Sequence, residues 1–152
     1  MSTTFDVFIF VRKPVQDVFA AVYDPDQLRQ YFTTGGASAP MRAGATVTWE
    51  FADFPGPFQV NVLESEANQR ITFNWPSREP ERTGHVDIRF EAQGANATKV
   101  TIREGGWNDT AEGRQQSYGN CMGWAQMLCC LKAWLEYGIN LREGAYRVSG
   151  DR

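Results

Sequence analysis

The stretch GNCMGWAQMLCCLKAWLE, residues 119–136, decides the fold. It lies in a helix predicted from about Gly113 to Leu141, where apolar side chains recur every three or four residues. A helix of about 25 residues is roughly 37 Å long, enough to cross a whole sheet. Its broad apolar stripe must be buried against a second element. The stripe consists of Trp124, Leu128, Leu131, Leu135 and Gly138, widened by Met127, Trp134 and Tyr137.

The surface for this helix to cover is predicted upstream, where the apolar period changes to two. Five segments between residues 46 and 102 alternate apolar with polar side chains and predict an antiparallel meander with one apolar face. Phe5–Val11 predicts a further strand, which makes a six-stranded sheet. Connections are predicted at 53–57, 66–69, 76–83 and 94–97, and Gly105-Gly106 is predicted to break the last strand.

Two short helices are predicted between the first strand and the meander. Apolar residues at helical spacing place one over 15–22, and Asp24-Pro25 is a good cap and first turn for the other. Residues 33–44 are predicted as a loop. Together these elements predict one α+β domain over residues 1–143, followed by a polar, frayed tail over 144–152.

A gap is predicted between sheet and helix, because a curved sheet cannot follow a straight helix along its full length. Aromatic residues make up 13% of the chain, with five Trp and ten Phe, and large rings suit the lining of an apolar cavity. Trp49, Phe73 and Trp75 are predicted to face the long helix and contact Trp124. The candidate cavity residues are Trp49, Phe51, Phe73, Trp75, Glu104, Trp107, Tyr118, Trp124 and Met127.

Glu104 is the most interesting polar candidate. By parity with Val100 and Ile102 it points to the apolar side, where burial would raise the pKa of an unpaired carboxyl. It could act as a general acid or base, or anchor a polar group of a ligand. Alternatively, the strand has already ended and Glu104 is solvated, or it pairs with an arginine at the cavity mouth. Gln115, Gln116 and Tyr118 could supply further polar contacts.

Several segments resemble one known family. Residues 119–136 are similar to the final helix of the SRPBCC, or START-like, superfamily, in particular its branch of homologues of the activator of the heat-shock-protein-ninety ATPase. Other similar segments are 15–28, 70–75 and 98–105, so the resemblance extends from about residue 4 to 140. It implies a helix-grip fold enclosing an apolar cavity. Members of the superfamily include lipid and polyketide binders, aromatases, cyclases and co-chaperone-like proteins.

Three functions follow from these patterns. The first is a binding protein for an apolar or aromatic small molecule, since the sequence shows no catalytic set. The second is an aromatase or cyclase acting on a polyketide-like substrate, which requires at least two polar side chains inside the pocket. The third is a co-chaperone-like interaction module.

The charge pattern bears on the partners. The net charge is −3 with Lys and Arg scattered singly, which disfavours a nucleic-acid or anionic membrane surface. No apolar run approaches the length of a membrane span, and the first residues lack the features of a signal peptide. Three cysteines, two of them adjacent, indicate reduced thiols in the cytoplasm. The expected state is a monomer or homodimer.

No metal or other cofactor is predicted. His85, the single histidine, faces away from the helix by parity with Val86, which disfavours a zinc site or a Ser-His-Asp triad. Cys129 and Cys130 are adjacent on a helix, so one is predicted in the core and one at the helix edge. The Gly-Gly pairs lack the pattern of a phosphate-binding loop.

Overall fold

The computed structural model describes residues 2–79 and 82–148. The described residues form seven strands and three helices. They follow one another in the predicted order, with one short strand added, and this confirms the α+β class. The elements are β1 (Ser2–Val11), α1 (Val15–Tyr23), α2 (Pro25–Leu28), β2 (Gly36–Ala37), β3 (Thr46–Phe51), β4 (Phe54–Glu66), β5 (Arg70–Trp75), β6 (Gly84–Ala92), β7 (Thr98–Asn108) and α3 (Ala111–Tyr137).

The strands form one antiparallel sheet in the order β1-β7-β6-β5-β4-β3-β2. The meander from β3 to β7 is as predicted, and β1 closes the sheet beside β7. The predicted number of six strands is wrong by one, because Gly36 and Ala37 pair with Glu50 and Trp49 at the outer edge. A two-residue strand containing a glycine carries no alternation, so the sequence pattern indicates only a loop there.

The β3–β4 hairpin is longer than predicted. Phe51 pairs with Phe54, so the turn is shorter than the predicted 53–57 and consists of Ala52 and Asp53. The register shifts between Trp49 and Phe51, and the Pro-Gly-Pro residues 55–57 fall opposite this irregularity. Prolines are tolerated in strands at such bulges because no ladder hydrogen bond is lost there.

Strand β7 also continues past its predicted end. The register shifts between Thr3 and Thr4, which places a bulge at Gly105-Gly106, and Gly106 has a φ of 91°. A side chain at Gly105 is excluded, because its Cβ would lie 2.4 Å from the Thr4 hydroxyl oxygen. Glu104 is therefore inside a strand and not at its end.

The long helix α3 packs on β1 and β7. Its N-terminus is capped by the Thr110 hydroxyl, which accepts a hydrogen bond from the Gly113 N–H at 3.0 Å. It ends earlier than predicted because Gly138 adopts a left-handed conformation with a φ of 67°. The predicted stripe is largely confirmed, with Trp124, Met127, Leu128 and Leu131 buried and Tyr137 exposed.

The two short helices cover one end of the same sheet face. Val18, Phe19 and Val22 of α1 are buried, and the Phe19 ring meets Phe90 of β6 edge to face at 5.2 Å. Asp24 caps α2 by accepting a hydrogen bond from the Asp26 N–H, as predicted. No helix in the described part of the chain is apolar over enough of its length to span a bilayer.

Candidate functional site

A cavity of about 680 Å³ lies beside the N-terminal half of α3. Its other walls come from the β3–β4 hairpin, the segment after β5, the end of β7 and the residues after α3. Eight of the lining residues are aromatic: Phe32, Phe51, Phe54, Phe58, Trp75, Trp107, Trp124 and Tyr146. The others are Asp53, Pro76, Ser77, Arg78, Arg82, Gln115, Gln116, Gly119, Asn120, Met122, Gly123 and Arg142.

Six of these aromatic side chains form one connected layer, to which the sheet, the segment after α2 and helix α3 all contribute. Trp75 and Trp124 lie 5.1 Å apart between ring centres, and Phe32 lies 5.7 Å from Trp124. On the hairpin, Phe51 and Phe58 meet nearly edge to face at 5.6 Å. Such geometries stabilise ring pairs beyond the area they bury. The layer therefore gives the cavity a preformed apolar wall.

Glu104 lies behind this wall and is completely buried. Its Oε1 accepts hydrogen bonds from Trp124 Nε1 at 2.8 Å and Asn120 Nδ2 at 3.2 Å. Its Oε2 accepts from Arg82 Nη2 at 2.7 Å and from Trp75 Nε1 at 3.3 Å. All four donor side chains line the cavity, so one buried carboxylate orients much of the wall.

Arg82 provides the positive partner of this carboxylate. Its side chain is only 4% exposed, and its two terminal nitrogens also donate to the Gly105 carbonyl oxygen and the Ser77 hydroxyl. The guanidinium carbon Cζ lies over the Trp107 ring, 3.6 Å from the ring centre. Arginine suits this position because its planar group can stack and bond at its edges simultaneously.

Residues after α3 form the wall on the side of the hairpin. Arg142 makes a two-pronged ion pair with Asp53, with both N–O distances at 2.8 Å. The guanidinium also lies over Phe51 and Tyr146, each at 4.7 Å. The Tyr146 hydroxyl donates to Gln126 at 2.6 Å, and burial raises the pKa of that hydroxyl. Tyr146 therefore contacts the rest of the domain, while residues 149–152 of the predicted tail lie outside the described residues.

Residues 12–136 match the family described as activator of Hsp90 ATPase homolog 1-like protein. The chain belongs to this family. The matched segment runs from the end of the edge strand β1 almost to the end of α3, and it includes Glu104 and its four partners. The resemblance found in the sequence is thereby confirmed.

Solved structures of similar fold extend the match. Protein SSP2350 from Staphylococcus saprophyticus is 28% identical, with 92% of this chain and 96% of that chain covered and a TM-score of 0.78. DynU16, a protein in the dynemicin biosynthetic locus, is also 28% identical, with 90% of this chain but 48% of that chain covered and a TM-score of 0.75. The Aha1 dimer from Colwellia psychrerythraea shares the fold at 21% identity, with coverages of 90% and 98% and a TM-score of 0.74. No curated protein matches the chain.

Four of the nine candidate residues line the cavity of this family member: Phe51, Trp75, Trp107 and Trp124. Trp49, Phe73 and Met127 are buried in the core instead. As predicted, the rings of Phe73 and Trp75 meet Trp124, at 6.2 and 5.1 Å. Trp49 lies one layer deeper and meets Phe73 at 5.2 Å.

Tyr118 lies outside the cavity and is 60% exposed. At about 100° per residue, Tyr118 lies about 120° around the helix from Trp124 in one direction, whereas Asn120, Gln116 and Gly123 lie within about 100° of it in the other. Glu104 does point inward as its parity predicts, and it pairs with an arginine, one of the alternatives left open. The pairing is fully buried, so the solvated alternative is excluded.

Several residues of the cavity wall are missed by the sequence pattern. Arg82 falls in a segment predicted as a polar loop, and Phe54 in a segment predicted as a turn. Arg142 and Tyr146 lie beyond the predicted helix. The available signal is weak: a large ring inside an otherwise polar segment, as at Phe54 and Tyr146, indicates that the segment packs against something.

The remaining candidate groups lie away from the cavity wall. His85 is exposed and bonds Asn74 at 3.0 Å, which confirms that it faces outward. Cys130 is buried and Cys129 exposed, as predicted, and burial raises the pKa of the Cys130 thiol. Within residues 2–79 and 82–148, no group of three or more His, Cys, Asp or Glu side chains could hold a metal ion.

Proposed function

We propose that this protein binds an apolar, aromatic small molecule in the cavity beside the N-terminal half of α3. The observation that carries the proposal is the cavity itself. Its volume of about 680 Å³ is typical of small-molecule sites, and eight aromatic side chains line it. Polar side chains between the rings would orient the ligand without dominating the surface.

The charges in the wall favour a ligand without strong charge. Three arginines line the cavity: Arg82 and Arg142 are bonded to a carboxylate, Glu104 and Asp53 respectively, and Arg78 lies exposed at the rim. Inside the rim, an anionic ligand would have to compete with the two ion pairs. An uncharged ligand would leave them intact and would gain mainly from burial of its apolar surface.

Holding a ligand is better supported than transforming one. The Glu104 carboxylate accepts hydrogen bonds from four side chains, so it is poorly placed to take a proton from a substrate. We therefore assign Glu104 a positioning role, in place of the direct ligand contact that the sequence pattern suggests.

A fluorescent apolar dye tests the proposal. The native protein is expected to bind the uncharged dye N-phenyl-1-naphthylamine with one-to-one stoichiometry. Phe54 and Phe8 are both partly exposed aromatic residues, at 45% and 60%, but only Phe54 lines the cavity. Phe54→Ala should therefore weaken dye binding about tenfold, and Phe8→Ala should leave it unchanged.

Two results would contradict the proposal: no dye binding to the native protein, or equal losses in the two variants. Native mass spectrometry of freshly purified protein provides an independent test. A co-purified small molecule that is lost in Phe54→Ala but retained in Phe8→Ala would identify the ligand directly.

A cyclase-type enzyme is the second candidate, because more than two polar side chains do lie in the cavity wall. Arg82, Gln115, Gln116 and Asn120 all line it. The position of DynU16 in a biosynthetic locus is compatible with a role in small-molecule synthesis. Incubation with a reactive poly-β-ketone, followed by product analysis, separates the two: catalysed cyclisation supports the enzyme, and unchanged spontaneous products support the binding protein.

A co-chaperone role is supported by the family description alone. A pull-down with the chaperone in the presence of nucleotide would test it. We further propose that the protein works in the cytoplasm, in keeping with its three free cysteines.

A further inference from the structure

Two walls of the cavity are fastened to the domain in different ways. One wall comes from the segment after β5, with residues 76–78 and Arg82. It is fastened by buried groups, because Arg82 is paired with Glu104 and the Asn108 N–H donates to both carboxylate oxygens of Glu79 at 3.2 Å. Glu104 is completely buried, so moving this wall would leave a carboxylate in the core without its countercharge.

The other wall comes from residues 138–148 after α3, which we call the strap. Arg142 of the strap forms the two-pronged ion pair with Asp53 at the tip of the β3–β4 hairpin, and Tyr146 donates to Gln126. The side chains of Arg142 and Asp53 are 10% and 16% exposed, so water reaches the pair. If the strap moves away, both charges pass into water, and their separation costs less than that of a fully buried pair.

Apolar packing holds the strap only weakly. Ile139, Leu141 and Val148 are all exposed, so their side chains add little to the core. The strap leaves α3 at the left-handed residue Gly138, and the end of a helix is a usual place for a hinge. Segments with few buried apolar contacts open first in native proteins. The strap is therefore the wall that opens more easily.

A buried thiol lies beside the ion pair of the strap. Burial raises the pKa of the Cys130 thiol, while the charge of Arg142 acts to lower it and that of Asp53 to raise it. Both charges therefore lie close enough to act on this thiol. Opening of the strap would expose Cys130 to reagents, so the rate at which it is labelled reports how often the strap opens.

We propose that the strap is a movable cover, held shut by the ion pair between Arg142 and Asp53, and that ligands enter and leave the cavity when it opens. The proposal rests on the proposed function for its ligand and adds the route that the ligand takes. The ion pair sets how often the cover opens. It therefore controls the rates of binding and release more than the affinity.

Stopped-flow binding of N-phenyl-1-naphthylamine to the full chain tests the route. Asp53→Ala removes the ion pair and should raise the association and dissociation rate constants about fivefold each, so that the affinity changes less than either. Asp6→Ala is the matched control, because Asp6 forms a two-pronged ion pair with Arg103 at 2.7 and 2.8 Å and neither residue lines the cavity. It should leave both rate constants unchanged.

Thiol labelling tests the opening itself and needs no ligand. Replacing Cys121 and Cys129 by serine leaves Cys130 as the single thiol of the chain. In this background Asp53→Ala should speed labelling of Cys130 by a maleimide about fivefold, and Asp6→Ala should not. Tyr146→Phe removes only the hydrogen bond to Gln126 and should speed it by less. The rate should not respond to low urea concentrations, since a small local opening exposes little surface.

The outcomes separate the movable cover from the proposed function. Unchanged rate constants and unchanged labelling in Asp53→Ala would overturn the cover and leave the proposed function standing. A faster dissociation alone, with association and labelling unchanged, would show that the ion pair merely contacts the ligand and would also overturn the cover. If the native protein bound no dye, the proposed function and the ligand route would both be wrong, and labelling of Cys130 would still decide whether the strap opens.

Discussion

The two halves of helix α3 differ in what they do for the molecule. In the C-terminal half, Met127, Leu128, Cys130 and Leu131 are buried in the core. In the N-terminal half, residues 115–124 form one side of a cavity, and two of them are glycines with open space beside them. The same helix therefore supplies close packing at one end and room for a ligand at the other.

The two halves are also attached to the sheet in different ways. The N-terminal half is held by hydrogen bonds from Asn120 and Trp124 to the buried Glu104. The C-terminal half adds to its apolar packing an ion-pair network at Glu136, which bonds Lys132 and Arg12. The difference shows how a helix can be fixed in place without filling the volume beneath it.

The largest effect is expected from Glu104→Gln, which removes the attachment of the N-terminal half. Arg82 would keep its buried charge without a countercharge, and breaking a buried pair in this way costs about 3–5 kcal/mol. This reverses the expectation from sequence alone, in which Glu104→Gln leaves stability unchanged or raises it slightly because a buried charge is costly. Chemical denaturation measures the loss, and hydrogen exchange should increase more in residues 115–124 than in 127–137.

The double variant Glu104→Gln, Arg82→Met is the control for this prediction. It removes both charges and should recover part of the lost stability, while dye binding stays weakened because the wall has changed. A single variant as stable as the native protein would contradict the role of Glu104 as the attachment point.

The next prediction compares the two halves of α3 directly. One apolar residue in each half is replaced by alanine, and stability and dye binding are measured. Leu131→Ala removes a fully buried side chain and should cost about 2–5 kcal/mol, with dye affinity of the folded protein unchanged. Met122→Ala removes a cavity-lining side chain that is 56% exposed and should change stability by less than about 0.5 kcal/mol while weakening dye binding. If the two variants lost the same amount of stability and the same amount of dye affinity, the two halves of α3 would not have separate roles in packing and in binding.

The smallest loss of stability is expected from Glu136→Gln. Burial raises the pKa of this carboxyl, but hydrogen bonds from Lys132 and Arg12 outweigh burial and lower it from 4.5 to about 2. The stabilisation is therefore fully present above about pH 4.5 and is lost as the pH falls towards 2. Glu136→Gln should cost about 1 kcal/mol at pH 7, since Arg12 is exposed, and should match the native protein near pH 2.

Denaturation curves at several pH values measure this difference. Glu143→Gln, at an exposed carboxylate, is the control and should show no comparable change in the difference with pH. A difference for Glu136→Gln that persisted unchanged to pH 2 would show that packing, and not the ionised carboxylate, holds this end of the helix.

Local sequence periodicity determined the order of the elements and the direction of most side chains. The alternation in β6 and β7 placed His85 outside and Glu104 inside, and the helical spacing of α3 placed Leu128 and Leu131 in the core. These properties follow from the chain's own geometry, because period and parity depend only on neighbouring residues.

Only the tertiary structure decided which distant residues meet. Arg82 reaches Glu104 across 22 positions of the chain, and Arg142 reaches Asp53 across 89. Periodicity reports the face on which a side chain lies, but a buried charge is tolerated only where a partner from another segment reaches it. For the same reason the alternation could place Glu104 inside the fold, and only the folded chain could bring Arg82 and three further hydrogen-bond donors to it.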